Sequence, residues 1–124
     1  MIPKRAAADP APAPILTKAV QSAADRLGLK NREIASILGS SEASVSRLNR
    51  GRLIDPTTKE GELALLFLRL YRSLDTLVGG DDAQARDWLN AFNDHLNAVP
   101  RERVATVEGL VDVVQYLDAM RGHL

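Results

Sequence analysis

The residues best suited to chemistry in this chain are small, polar and basic side chains clustered between Asn31 and Asn49. Two short helices joined by a tight turn need a small residue where they cross and one tolerant of positive φ at the turn. Ala35 and Gly39 meet those needs, and Ile34, Leu38, Val45 and Leu48 fall at spacings that seal the two helices together. The pattern predicts a helix-turn-helix. Ser40 departs from it, because such turns usually bury an apolar residue there. With Val45 and Leu48 inward, the outer face of the motif's second helix carries Ser41, Glu42, Ala43, Ser44, Ser46, Arg47 and Arg50. In this geometry the N-terminal part of that helix enters the major groove of DNA. Arg47 is the expected reader of a guanine edge, a bidentate contact worth ~1–3 kcal/mol. Ser41, Ser44 and Ser46 are expected on bases or phosphates, with Glu42 on the same DNA-binding face. Lys30, Arg32, Arg50 and Arg52 are expected to neutralise phosphates, which positions a protein on operator DNA without reading sequence.

Other chemistries find no such support. His95 and His123 stand 28 residues apart with no cysteine beside them, so no metal site is expected. Gly79-Gly80 lacks the following Lys-Ser/Thr of a phosphate loop and reads as a helix stop. No Ser-His-acid arrangement is suggested by the spacing, so neither an enzyme nor a cofactor is expected. The absence of cysteine excludes disulfide scaffolds and thiolate metal sites, and fits a reducing cytoplasm, the expected location. Met1–Pro14 has two basic residues but no apolar run behind them, unlike a secretory signal, and no stretch approaches the ~20 apolar residues of a membrane span.

The elements that must hold the motif read as helices throughout. Hydrophobic residues are 45% of the chain and aromatics only 4%, so the core must come from Leu, Val, Ile and Ala, which favours helix on helix. Ala6–Pro14, with three prolines, reads as part of a flexible tail over residues 1–14. A helix is predicted from Leu16 to Leu27, ended by Gly28, then a second capped by Asn31 and a third capped by Ser41 and ended near Gly51. Asp55-Pro56-Thr57 marks the boundary between a helix-turn-helix region (15–56) and a second helical region (57–124). A long helix then runs to about Val78, with Leu63, Leu66, Phe67, Leu70 and Leu74 on its apolar side. That is more apolar surface than one helix can hide, so it must pack on later helices, on a second subunit, or both. A homodimer through these leucines is expected, since helix-turn-helix proteins read paired half-sites as dimers. A further helix is predicted from Asp82 to about Leu96, an interruption at Pro100, and a last helix capped by Thr106 that carries Val107, Leu110, Val111, Val114, Leu117 and Met120. The fold class is all-α.

Charge divides the chain as well. Residues 1–56 hold nine Lys/Arg against five Asp/Glu, and residues 57–124 hold seven against eleven. A basic front and an acidic back suggest two partners of opposite character.

The runs LALLFLRLYRSLDTLVGG, ARDWLNAFNDHLNAVP and RVATVEGLVDVVQYLDAM, with Ala85, Trp88 and Leu89 as A-x-x-W-L and Thr106 and Gly109 as T-x-x-G, resemble the toxin-binding domain of the Xre/MbcA/ParS antitoxins. That family also carries an N-terminal Xre-like helix-turn-helix, so the resemblance covers residues ~16–124. It implies an N-terminal Xre-like helix-turn-helix followed by a small C-terminal helical toxin-binding domain. It further implies an antitoxin that covers the active site of a RES-domain toxin, which consumes NAD or transfers ADP-ribose from it, and that represses its own operon. By position the implied toxin contacts lie on the final helix and tail: Val107, Glu108, Leu110, Val111, Val114, Asp118, Arg121 and His123. Val107 and Leu110 are expected inside the antitoxin instead, so Glu108, Asp118 and Arg121 carry more weight. An acidic antitoxin half suits a basic pyrophosphate-binding pocket. The alternatives are a stand-alone helix-turn-helix transcriptional regulator whose back half only dimerises or senses a small ligand, and an adaptor that has lost DNA binding.

Overall fold

A computed structural model describes residues 12–122, and every structural statement below concerns those residues. They form seven α-helices and no strand: α1 (Pro12–Leu27), α2 (Asn31–Leu38), α3 (Glu42–Ser46) continued by a 3₁₀ turn (Arg47–Arg50), α4 (Lys59–Leu77), α5 (Asp82–Asn90), α6 (Pro100–Arg103) and α7 (Val107–Arg121). The all-α class is as expected, with the helix-turn-helix on α2 and α3, α1 before it and α4–α7 following it.

α4 is the spine. It packs most extensively against α7 and also against α1 and α2, burying Phe67, Leu70 and Leu74 against a core that includes Leu27, Leu38, Leu110 and Leu117. Of the leucine face expected to make a dimer, Leu63, Phe67, Leu70 and Leu74 are buried within this one chain, and Leu66 is half-buried. Within this one chain α7 supplies the matching apolar face, through Leu110, Val113, Val114 and Leu117. Leu65, 52% exposed, is the large apolar residue that α4 leaves outside.

The two long helices begin with the same device. Thr58 and Thr106 each accept a hydrogen bond at the side chain from the backbone N–H three residues on, Gly61 and Gly109, both at 3.1 Å. Each glycine lies against the carbonyl six residues before it. A Cβ on Gly61 would stand 2.2 Å from the Asp55 oxygen, and one on Gly109 1.7 Å from that of Arg103. The T-x-x-G spacing is thus a cap combined with a close backbone approach, and only glycine leaves room for it.

Several boundaries differ from expectation. α1 begins at Pro12 rather than Leu16, and Pro12 and Pro14 both fall in its first turn, where N–H groups have no helical partner. Lys30, not Asn31, precedes α2, and Glu33 reaches back to accept the Lys30 N–H at 2.9 Å. α5 ends at Asn90 rather than Leu96. The chain there folds into a turn in which Asn93 accepts the Leu96 N–H at its side chain and bridges Ala98, while Asn97 takes a positive φ of 53°. Asparagine side chains compete with helix in this way, and asparagine tolerates the left-handed region. Pro100 opens α6 instead of merely interrupting. Val107, expected inside, is 59% exposed.

Candidate functional site

The helix-turn-helix is built as its residue types require. Gly39 closes α2 at φ 67°, returning the chain so that its own N–H and that of Ser40 cap the end of the helix. Ser41 then caps α3 by accepting the Ser44 N–H at 3.0 Å. Val45 and Leu48 are buried with Ile34, Ala35 and Leu38, as the motif predicts. Glu42, Ala43, Arg47 and Arg50 are exposed on the outer face, with Ser44 and Ser46 half-buried beside them. Lys30 and Arg32 are exposed at the start of α2.

Two residues read differently in three dimensions. Ser40, the departure from the apolar pattern, donates a short hydrogen bond to Glu60 on α4. Arg52, expected on phosphate, is committed elsewhere. Its guanidinium grips Glu60 through two bonds of 3.0 and 2.9 Å, and its Nε donates to the Ser44 carbonyl at 2.9 Å. The Arg52 hydrogen bond is the main reason the Glu60 carboxyl is held below its usual value. Ser40, Glu60 and Arg52 therefore form a polar strut under the turn of the motif, in which the Arg52 guanidinium is engaged within the fold.

Behind the motif, α6 sends Arg101 into the α1–α2 turn. Its Nε and one terminal nitrogen bond both oxygens of Glu33 at 2.6 and 2.8 Å, the same terminal nitrogen bonds the Gly28 carbonyl at 2.7 Å, and the other bonds Asn90 at 3.1 Å. Arg86 on α5 adds a bond to the Arg26 carbonyl at 2.9 Å, so two arginines of the second half satisfy carbonyls at the end of α1. The Arg101 hydrogen bonds are the chief cause of a Glu33 carboxyl lowered to about 2 from its usual 4.5; burial opposes the shift, and the Lys30 N–H and nearby Arg32 assist it.

Because the folded value lies below the unfolded one, the pair stabilises the fold fully above about pH 5 and loses that contribution as pH falls toward about 2. Denaturant midpoints are expected to decline through this window more steeply for the natural chain than for Glu33→Gln. Parallel profiles would show that the pair contributes nothing.

The positions expected to meet a toxin divide into open and occupied ones. Glu108 and Arg121 are exposed, Val111 is half-buried, and Leu110 and Val114 are in the core. Asp118 is half-buried, accepts a hydrogen bond from Ser73 at 3.0 Å and pairs with Arg69, so it is largely consumed within the fold. Arg121 also reaches Ser73, at 3.4 Å. His123 lies outside the described residues. Val107, which its helical spacing predicts inside, stands exposed beside Glu108. Among the described residues no group of three His, Asp or Glu could hold a metal ion, and no helix is long and apolar enough to cross a membrane.

Two family descriptions match the chain: the antitoxin Xre-like helix-turn-helix domain over residues 6–69, and the antitoxin Xre/MbcA/ParS C-terminal toxin-binding domain over residues 73–122. No curated protein matches it. The first match runs on into α4, whose Leu63 lies against the Gly39 turn and whose Glu60 braces it. The second begins where α4 presents Ser73 and Leu74 to α7. A DNA-binding motif and a toxin-binding domain are thus joined through one shared helix, and the chain belongs to the Xre/MbcA/ParS antitoxin family.

Proposed function

We propose that this antitoxin neutralises a RES-domain toxin, one that consumes NAD or transfers ADP-ribose from it, by covering its active site, and that it represses its own operon in the cytoplasm as a homodimer. The observation that carries this reading is that the two halves keep separate open surfaces. Arg47 and Arg50 stand outside on the motif, while Val107 and Glu108 stand outside at the start of α7. The same chain can therefore engage DNA and a protein partner without either surface being rebuilt. An apolar side chain next to a carboxylate suits a pocket that is basic to hold a pyrophosphate, since rim acids steer toward such a pocket and a buried apolar anchor holds there. With the α4 leucines used internally, a homodimer would draw on residues left outside, such as Leu53 and Leu65.

Co-expression with the RES-domain toxin tests the assignment. Val107→Asp combined with Glu108→Arg is expected to abolish growth rescue while leaving melting temperature and operator gel shift unchanged, because neither side chain is held in the core. Full rescue by this double variant would remove the start of α7 from the toxin interface. Failure of the natural chain to rescue would remove the RES assignment itself.

A further inference from the structure

We infer that Arg101, contributed by the toxin-binding half, is a positioning residue for DNA binding: it neutralises Glu33 and anchors the first turn of α2, so that Lys30 and Arg32 meet phosphate with their full charge. The inference rests on the reading of Lys30 and Arg32 as phosphate contacts.

The geometry is specific to an arginine fork. Three of the four acceptor atoms that Arg101 engages, both oxygens of Glu33 and the Gly28 carbonyl, belong to the α1–α2 turn and the opening of α2, and the fourth is Asn90 on α5. A lysine has no planar fork to span a carboxylate and a carbonyl together. Glu33 follows Arg32 directly and stands three residues from Lys30, whose N–H it accepts, so its charge lies among the cations expected to face the DNA backbone. Its carboxyl is an anion at neutral pH with or without Arg101, whose hydrogen bonds lower its pKa further. Left alone, that anion would offset part of the attraction to phosphate. Paired, it is cancelled by a residue 68 positions away. The other arginine that crosses from the second half, Arg86, bonds a carbonyl and carries no such balance.

The consequence separates charge from scaffold. Removing Arg101 uncovers the Glu33 charge, whereas replacing Glu33 by glutamine leaves Arg101 positive and still tied to Gly28 and Asn90. Binding to a mixed-sequence duplex of roughly 30 base pairs, followed between about 50 and 200 mM salt, reads the phosphate contribution without knowledge of an operator. Arg101→Ala is expected to weaken binding on the order of fivefold and Glu33→Gln to tighten it severalfold. Both variants should melt earlier than the natural chain, and the double variant should bind close to the natural chain. Lys30→Ala and Arg32→Ala should each lower the salt slope by about 1. Affinity falling in both single variants in proportion to the loss of melting temperature would mean that the pair is structural only, and would overturn the inference alone. A natural chain that does not bind the duplex would instead overturn the DNA-binding reading, and the inference with it.

Discussion

Replacing Gly109 by alanine is expected to destabilise the protein by about 3–5 kcal/mol, a large part of the ~5–15 kcal/mol that holds a typical domain together. The added Cβ would stand 1.7 Å from the Arg103 carbonyl oxygen and 2.7 Å from its carbon. These are backbone atoms, so no rotamer change relieves the clash. The α6–α7 connection must move instead. Moving it breaks the Thr106 cap on α7, worth ~1 kcal/mol, and pulls at the Arg103–Asp112 pair. It also shifts the register of Leu110 and Val113, both fully buried against the spine helix. Thermal unfolding should fall by roughly 10–20 °C. Gly122→Ala serves as the control, because its Cβ would meet the nearest oxygen at an ordinary 3.5 Å and its φ is −68°. A Gly109 variant that melts within a few degrees of that control would show that the connection yields freely and that the T-x-x-G spacing has no packing role. Gly61→Ala should behave like Gly109→Ala, since the same device opens α4.

Why some of this was legible in the sequence and some was not comes down to the distance over which each signal acts. Ala35, Gly39, Ser41 and Thr106 do their work within three to five residues of themselves, by capping, turning or letting helices approach, so their meaning survives in one dimension. Arg52 and Arg101 do not work locally. A surface arginine and a brace look alike until the partner is placed, and Arg52 finds Glu60 eight positions on while Arg101 finds Glu33 sixty-eight back. The leucine side of α4 posed a different problem. Its apolar excess was plain, but whether α7 or a second copy covers it depends on how the intervening turns direct the chain. The truncated α5 was the more readable miss: Asn90, Asn93 and Asn97 recur just where the helix fails, and two of them act in the turn through a side-chain acceptor and a left-handed backbone. Ser40 was visible as an exception to the motif, and its partner, Glu60, lies on the next long helix.

Arg47→Ala and Arg52→Ala should separate reading from bracing, although the two arginines stand five residues apart on one motif. Arg47 is exposed at the junction of α3 and the 3₁₀ turn, and its side chain makes no hydrogen bond or ion pair among the described residues. Its removal should leave the melting temperature unchanged. If it reads a guanine edge, the preference for the operator over mixed-sequence DNA should drop by about 10–100-fold, the equivalent of one bidentate contact. Arg52→Ala should do the reverse. It leaves Glu60, whose side chain is 18% exposed, without the fork that satisfies both of its oxygens, and it frees the Ser44 carbonyl. Stripping one partner from a largely buried pair costs more than the pair itself contributes, here about 1–3 kcal/mol, and the strut beneath the turn goes with it. Operator preference per folded molecule should stay near that of the natural chain. An Arg52 variant with unchanged stability and a salt slope lower by about 1 would instead make Arg52 a phosphate contact. Undiminished operator preference in the Arg47 variant would move base reading to Glu42 or to the serines beside it. The contrast is informative because the expected shifts fall on different measurements, one on sequence preference and the other on stability, so a general loss of folding cannot imitate both.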